Sequence, residues 1–348
     1  MPPTLSPAGA PPRAAEPKDF SHLLRPEIYH PLSQLSVPPP FRNSAKQPTP
    51  DTPIAELLAR GHYRAAAIAA AQELTGGGSA LPPDPTDHAR ILDLLHVRLA
   101  CLTLSAATSG AAAQEARALG DPSASLYYHS DPDPDSTDGD GATTTTGGRH
   151  HLAPWPLRVL VVRLQAAGFA DPRRAVMSYY DLAGEARAHV AEAARAGDNS
   201  ARELWRGRLA ELGVRVAGAL VEMDDLVGAA QHLRTLRDSG DGKLGVAKAL
   251  LWLHLGDVEA ARGCVRPGEV GGTMIAALCA MADGLYEEGL LLWRELKEEG
   301  VDDEMIGVNT AVCLLYLGRM QEVCPPSPCF YDVLLTTSIG QVPLRGPS

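Results

Sequence analysis

ADGLYEEGLLLW, from Ala282 to Trp293, holds the pattern that decides the fold. A turn residue, Gly284, stands five positions before a residue with no side chain, Gly289, and a large aromatic, Trp293, follows about one helical turn later. Glycine enters a left-handed backbone without a Cβ clash, so Gly284 can close one helix and start the return. Gly289 then lets the second helix press on the first, and Trp293 is placed to fill the groove made with the next pair. The same relation recurs in MDDLVGAAQHL (Met223–Leu233), LGDVEAARGCV (Leu255–Val265) and YLGRMQEV (Tyr316–Val323), pairing Asp224 with Ala229, Gly256 with Ala261 and Gly318 with Val323. Upstream, Gly61 pairs with Ala66 and Ala170 with Ala175 in the same way.

Gly284 and Gly318 are thirty-four positions apart, the period of a tetratricopeptide hairpin. The steps from Ala229 to Ala261 and from Ala261 to Gly289 are thirty-two and twenty-eight, so the array is irregular. The repeat-packing residues are Gly61, Ala66, Ala175, Ala229, Gly256, Ala261, Gly284, Gly289, Trp293 and Gly318. They predict an all-α, tetratricopeptide-like helix-hairpin solenoid with a disordered N-terminal segment and an internal loop. They define a scaffold whose default activity is binding, through faces that helices present when stacked.

The rest of the chain divides around this core. Residues 1–50 hold thirteen of the twenty-nine prolines and show no apolar period, which predicts disorder. Within them LLRPEIYHPLSQL, 23–35, has the composition of a docking peptide. Residues 51–128 form the first hairpins: IAELLARG gives a short helix ended by Gly61, HYRAAAIAAAQEL a second, and 87–119 another pair, with Ile91, Leu94, Leu95, Leu99 and Leu102 at helical spacing and Gly110 near the turn. Residues 129–151 carry five aspartates, two prolines and a threonine run, and read as a solvated insert. Asp131, Asp133 and Asp135 imitate the start of a calcium loop, but Ser136 and Ala142 stand where such a loop needs Gly and Glu. The repeats occupy 152–324, and 325–348 is an irregular tail.

Forty-two acidic against thirty-one basic residues leave a net charge of −11, which opposes a nucleic-acid partner. The six cysteines form no CxxC pair, so no metal site is expected, and no cofactor. No apolar run reaches the ~20 residues of a membrane helix, and MPPTLSPAGAPPRAAEP lacks the apolar stretch of a signal peptide. The expected location is the reducing cytosol. GDGKLG, Gly240–Gly245, matches the dinucleotide fingerprint in letters, but it follows the helical AAQHLRTLRDSG where that fingerprint requires a strand. His189, His232 and His254 lie on helices with no nucleophile at matching spacing, so no catalytic residue is expected.

Four stretches carry a more specific likeness. LLRPEIYHPL from Leu23, HVRLACL from His96, SLYY from Ser125 and above all NTAVCLLYLGRMQE from Asn309 resemble the trafficking protein particle (TRAPP) complex subunit 12 family over residues 23–322. The resemblance implies a non-catalytic tetratricopeptide scaffold in a tether that acts on a Rab GTPase in ER-to-Golgi traffic and autophagy. Its partners would be the other TRAPP subunits, with the Rab reached only indirectly, and it would sit in the cytoplasm, peripheral to Golgi and ER-Golgi membranes through the complex. A different class of function is a chaperone-type adaptor that clamps peptide C-termini; it needs converging cations, and only Lys243 and Lys248 of the five lysines share a helix. After Glu322 the sequence departs from the family, reading VCPPSPCFYDVLLTTSIGQVPLRGPS, where Pro325 and Pro326 stop a helix. The chain thus reads as a short form with a divergent end, expected to leave the apolar helix before Leu317 without a full partner. Light scattering of the purified chain is expected to show self-association; a clean monomer would mean that the tail caps the array itself.

Overall fold

The structure, a computed structural model, describes residues 18–32, 37, 47–49, 51–77, 81–105, 109–128, 151–237, 240–266, 268–301 and 304–323. Of the insert read at 129–151, residues 129–150 lie outside them, as do the tail at 325–348 and most of the proline-rich segment, whereas His151 is described and buried. The described residues are helical with no strand, and their single β-bridge joins Tyr128 to His151. The chain is all-α and built of helix hairpins.

It divides into two compact units, 1–179 and 180–348. The first contains α1 (Ile54–Ala59), α2 (Tyr63–Thr75), α3 (His88–Leu104), α4 (Ser109–Glu115), α5 (Trp155–Phe169) and the start of α6 (Pro172–Ala196). Helix α3 packs on α2, α4 and α5. Its buried stripe of Ile91, Leu92, Leu95, Leu99 and Leu102 meets Ala66, Ala67 and Ala70 of α2 and Leu157, Val161 and Leu164 of α5 in one core. Helix α5, expected at the head of the later repeats, therefore belongs to the first unit, because its apolar face is buried there. Gly110 lies in the first turn of α4, near the connection from α3.

The second unit holds the rest of α6, then α7 (Asn199–Glu222), α8 (Leu226–Thr235), α9 (Gly242–His254), α10 (Val258–Arg262), α11 (Val270–Ala282), α12 (Tyr286–Glu298), α13 (Glu304–Tyr316) and α14 (Met320–Val323). Consecutive helices pair as α7/α8, α9/α10, α11/α12 and α13/α14, and α9 also packs on both α7 and α11. Helix α11 has no charged side chain and buries Gly272, Ile275, Ala277, Cys279 and Ala280, as a helix with neighbours on two sides must. Helix α12 instead shows one apolar stripe, Gly289, Leu290, Trp293 and Leu296, with Glu287 and Glu288 in its first turn and Lys297 in its last, the order that a helix dipole favours.

All four hairpin turns of this unit are made alike. At the first, the second and the third, Asp224, Gly256 and Gly284 have φ of +62°, +81° and +79°, and Gly318 closes the fourth at +72°. At Gly284 the N–H of Gly284 donates to Met281 O at 3.1 Å and the N–H of Leu285 to Ala280 O at 2.8 Å, the paired bonds of a Schellman turn. At Asp225 and Asp257 the residue after the turn also caps the next helix, its carboxylate accepting from the N–H of Gly228 at 2.9 Å and of Ala260 at 3.0 Å. One two-residue unit thus ends a helix and begins its partner. In the first unit Gly61 and Ala170 take the same conformation, with φ of +74° and +52°.

Two substitutions probe this geometry. Alanine in the left-handed region costs about 1–2 kcal/mol, more than the 0.5–1 kcal/mol of chain entropy that glycine adds, so Ala170→Gly is expected to raise stability by about 0.5–1 kcal/mol in denaturant unfolding. A Cβ at Gly289 would sit 3.2 Å from Met281 Cγ and 3.4 Å from Ala277 O, so Gly289→Leu is expected to cost about 1–3 kcal/mol in the same assay.

Candidate functional site

The small residues of the repeat pattern are buried in the packing of the helices. Ala66, Ala229 and Ala261 are fully buried, Ala175 nearly so, and Gly289 faces α11 and Cys313 of α13. Trp293 is fully buried among Ala277, Leu290, Ile306, Cys313 and Leu314, between its own hairpin and the first helix of the next, and its indole N–H points at Met281 Sδ, 3.2 Å away. These residues build the scaffold; the partner of the Gly318 turn, Val323, has its side chain outside the described ones.

The proline-rich N-terminus departs from the expected disorder. Residues 18–32 form two short 3-10 turns, Ser21–Leu24 and Pro26–Ile28, and Phe20 and Leu23 are fully buried in the core of the first unit. Prolines do not prevent this, since a segment that docks on helices needs no ladder of its own backbone bonds. The part of the 23–35 docking peptide that is described, 23–32, is docked on its own chain.

A polar node fixes it there. The Arg98 guanidinium on α3 meets the Glu115 carboxylate at the end of α4 through two bonds, Nε to Oε2 at 2.9 Å and Nη2 to Oε1 at 2.6 Å. Arg98 also donates to Ala67 O at 3.0 Å and His30 O at 2.8 Å, while the His30 N–H donates to Glu115 Oε1 at 2.8 Å. Both side chains are about 1% exposed. Tyr29 next to them donates its hydroxyl to Leu23 O at 2.6 Å, and burial, with the Glu115 carboxylate nearby, pushes its phenol above the usual range. Neither Arg98 nor Glu115 stands out as a site in sequence. The available signal was an arginine on the apolar stripe of Leu94, Leu95 and Leu102, where a charge survives only with a buried partner.

A second closure seals the same core. The Tyr127 hydroxyl donates to Leu119 O at 2.6 Å, and the Tyr127 ring stacks on His151 and meets the Phe20 ring at a tilt. His151 Nδ1 accepts from the Ala153 N–H at 3.0 Å, which leaves Nε2 to donate to Pro122 O at 3.1 Å. His151, read in sequence as the last residue of the solvated insert, is instead part of this packed closure and is bridged to Tyr128 on the insert's other side.

In the second unit a groove of about 730 Å³ runs between α7, the α8–α9 connection, α9 and the end of α10. GDGKLG forms part of its wall. Gly240 is left-handed, with φ +74°, Asp241 caps α9 by accepting from the Lys243 N–H at 2.9 Å, and a Cβ on Gly245 would meet Cys264 O at 2.6 Å. These glycines serve a helix start and a close backbone contact, and among the described residues the element before them is a helix, α8. Lys248, one half of the cation pair a peptide clamp would use, donates its ammonium to Leu236 O at 3.1 Å and so ties down the connection. His232 Nε2 lies 3.0 Å from Gly213 O, and the His189 ring stacks on Trp205 at 4.2 Å; both are packing groups.

Among the described residues no three His, Cys, Asp or Glu side chains gather as a metal ion requires, and no helix is long and apolar enough to cross a membrane. Asp131, Asp133 and Asp135 lie outside those residues. Comparison with protein-family models finds no match, and comparison with curated proteins finds none either.

Removing one partner of a buried ion pair strands the other charge, so Arg98→Leu is expected to cost about 3–5 kcal/mol and to speed amide exchange at His30, whereas Arg98→Leu with Glu115→Leu should lose less than the single variant. Alkali acts on the same core. Burial holds the Cys101 thiol up to about 11 and the Tyr127 phenol up to about 12, against ordinary values of about 8.5 and 10. The fold therefore favours their neutral forms, and the stability they contribute is whole below about pH 8.5 and falls as pH rises through 11 and 12. Circular dichroism against pH is expected to show cooperative loss of helix at that alkaline edge.

Proposed function

We propose that this chain is a non-catalytic scaffold subunit of a TRAPP-type tethering complex, holding neighbouring subunits through its helical-repeat surfaces. It would then work in the cytoplasm at ER-Golgi membranes, reached through the complex, with any influence on a Rab GTPase exerted through assembly. The observation that carries the reading is the meeting of three stretches of family resemblance in one core. Leu23 and Tyr29 come from the first, Arg98, Leu99, Cys101 and Leu102 from the second and Tyr127 from the third, and all are buried in the same unit. Stretches far apart in sequence that share one packing problem are what a common fold would preserve. The fourth stretch, from Asn309, forms most of α13 and its turn at Gly318.

A binding role also agrees with the helices themselves: hairpins that stack only on their neighbours leave long faces for other proteins. The rival clamp for peptide C-termini is weakened by the use of Lys248 within the fold. Affinity purification of the tagged full chain, with the co-purifying proteins identified, tests the proposal. Recovery of other TRAPP subunits in stoichiometric amounts is expected. Recovery of chaperones without them would favour the clamp, and recovery of neither would remove the scaffold reading.

A further inference from the structure

The groove of the second unit has a chemistry at odds with the rest of the chain. Its rim carries Arg206 on α7, Arg237 after α8 and Arg266 after α10, all exposed. None of the three forms an ion pair among the described residues, whereas Arg215, Arg262, Arg294 and Arg319 in the same unit each hold a carboxylate. Two carboxylates line the groove with the three guanidiniums, Asp241, which also caps α9, and Glu269, so cations outnumber anions there. Between them the floor is apolar and half-buried, made by Leu209, Val214, Leu244 and Val246.

A chain of net charge −11 that gathers unpaired arginines around an apolar floor presents a local field opposite to its total. At cellular ionic strength charges beyond about 8 Å are screened, so a ligand in the groove meets the arginines and not the distant carboxylates. Guanidinium groups pair with carboxylates in fork geometry, and an apolar floor takes aliphatic side chains. Nucleic acid fits less well, because no aromatic ring lines the groove to stack a base.

We infer that this groove docks an acidic stretch of a partner protein, with its carboxylates on Arg206, Arg237 and Arg266 and its apolar side chains on the floor between them. The inference deepens the scaffold reading and rests on it for the partner being a protein. The test is fluorescence anisotropy of the full chain with two labelled synthetic peptides, EELEDLLEEL and KKLKKLLKKL, and with an oligothymidylate. The acidic peptide is expected to bind, more weakly as salt rises, and the basic one to bind at least about tenfold less. The triple variant Arg206→Glu, Arg237→Glu, Arg266→Glu should weaken the acidic peptide by about tenfold or more with an unchanged melting temperature, since the three side chains are exposed. Should that variant melt early, the neutral triple Arg→Gln variant takes its place, with a smaller loss of about threefold expected. Equal binding of the two peptides, no binding of the acidic one, tighter binding of the oligonucleotide, or unchanged affinity in a folded triple variant would each overturn the inference. Co-purification of tether subunits uses no peptide, so the scaffold reading and the groove can fail separately.

Discussion

Helices in this protein are held together chiefly by how closely their backbones approach. Aromatic residues are 5% of the chain, and the contact points are small: Ala66, Ala229, Ala261 and Gly289 sit where bulkier side chains would hold the helices apart. Dispersion falls steeply with distance, so such contacts stabilise only if the axes are brought near and kept in register. The left-handed turn at the end of each first helix does this, and the aspartate that follows at Asp225 and Asp257 starts the second helix at once. Turn and contact are therefore one device, and Trp293 fills the space between its own hairpin and the first helix of the next.

The first unit solves a different problem. The two short 3-10 turns of residues 18–32 leave His30 without a partner in its own segment, so His30 gives its N–H to Glu115 and its C=O to Arg98. A buried pair of this kind adds little net stability compared with apolar side chains of similar size. What it supplies is position: only one placement of the segment lets both backbone groups of His30 reach the two side chains, and that placement also seats Phe20 and Leu23 in the core.

How much of this could be read beforehand follows from the range of each interaction. The turns at Gly61, Ala170, Asp224, Gly256, Gly284 and Gly318 depend on residues within one helical turn, and their spacing pointed to the positions that adopt the left-handed backbone. Arg98 and Glu115 depend on His30, at separations of 68 and 85 residues, and no local pattern reports such a meeting. Proline counting misled over 18–32 for the same reason, since it measures whether a segment can make its own structure and not whether another surface is shaped to receive it. The three arginines of the groove were hidden among thirty-one basic residues, and only the fold separates those with a carboxylate from those without.

The contact between His30 and Glu115 also sets an order of events during synthesis. Residues 18–32 leave the ribosome before their seat exists, since it is incomplete until Glu115 has been made, 85 residues after His30. At translation rates of 5–20 residues per second that interval is roughly 4–17 s. Through it Phe20, Leu23 and Tyr29 wait as an exposed apolar tether while α2 and α3 pair behind them. The segment is thus translated well before its seat and folded after it, and a nascent-chain chaperone would find its binding stretch there.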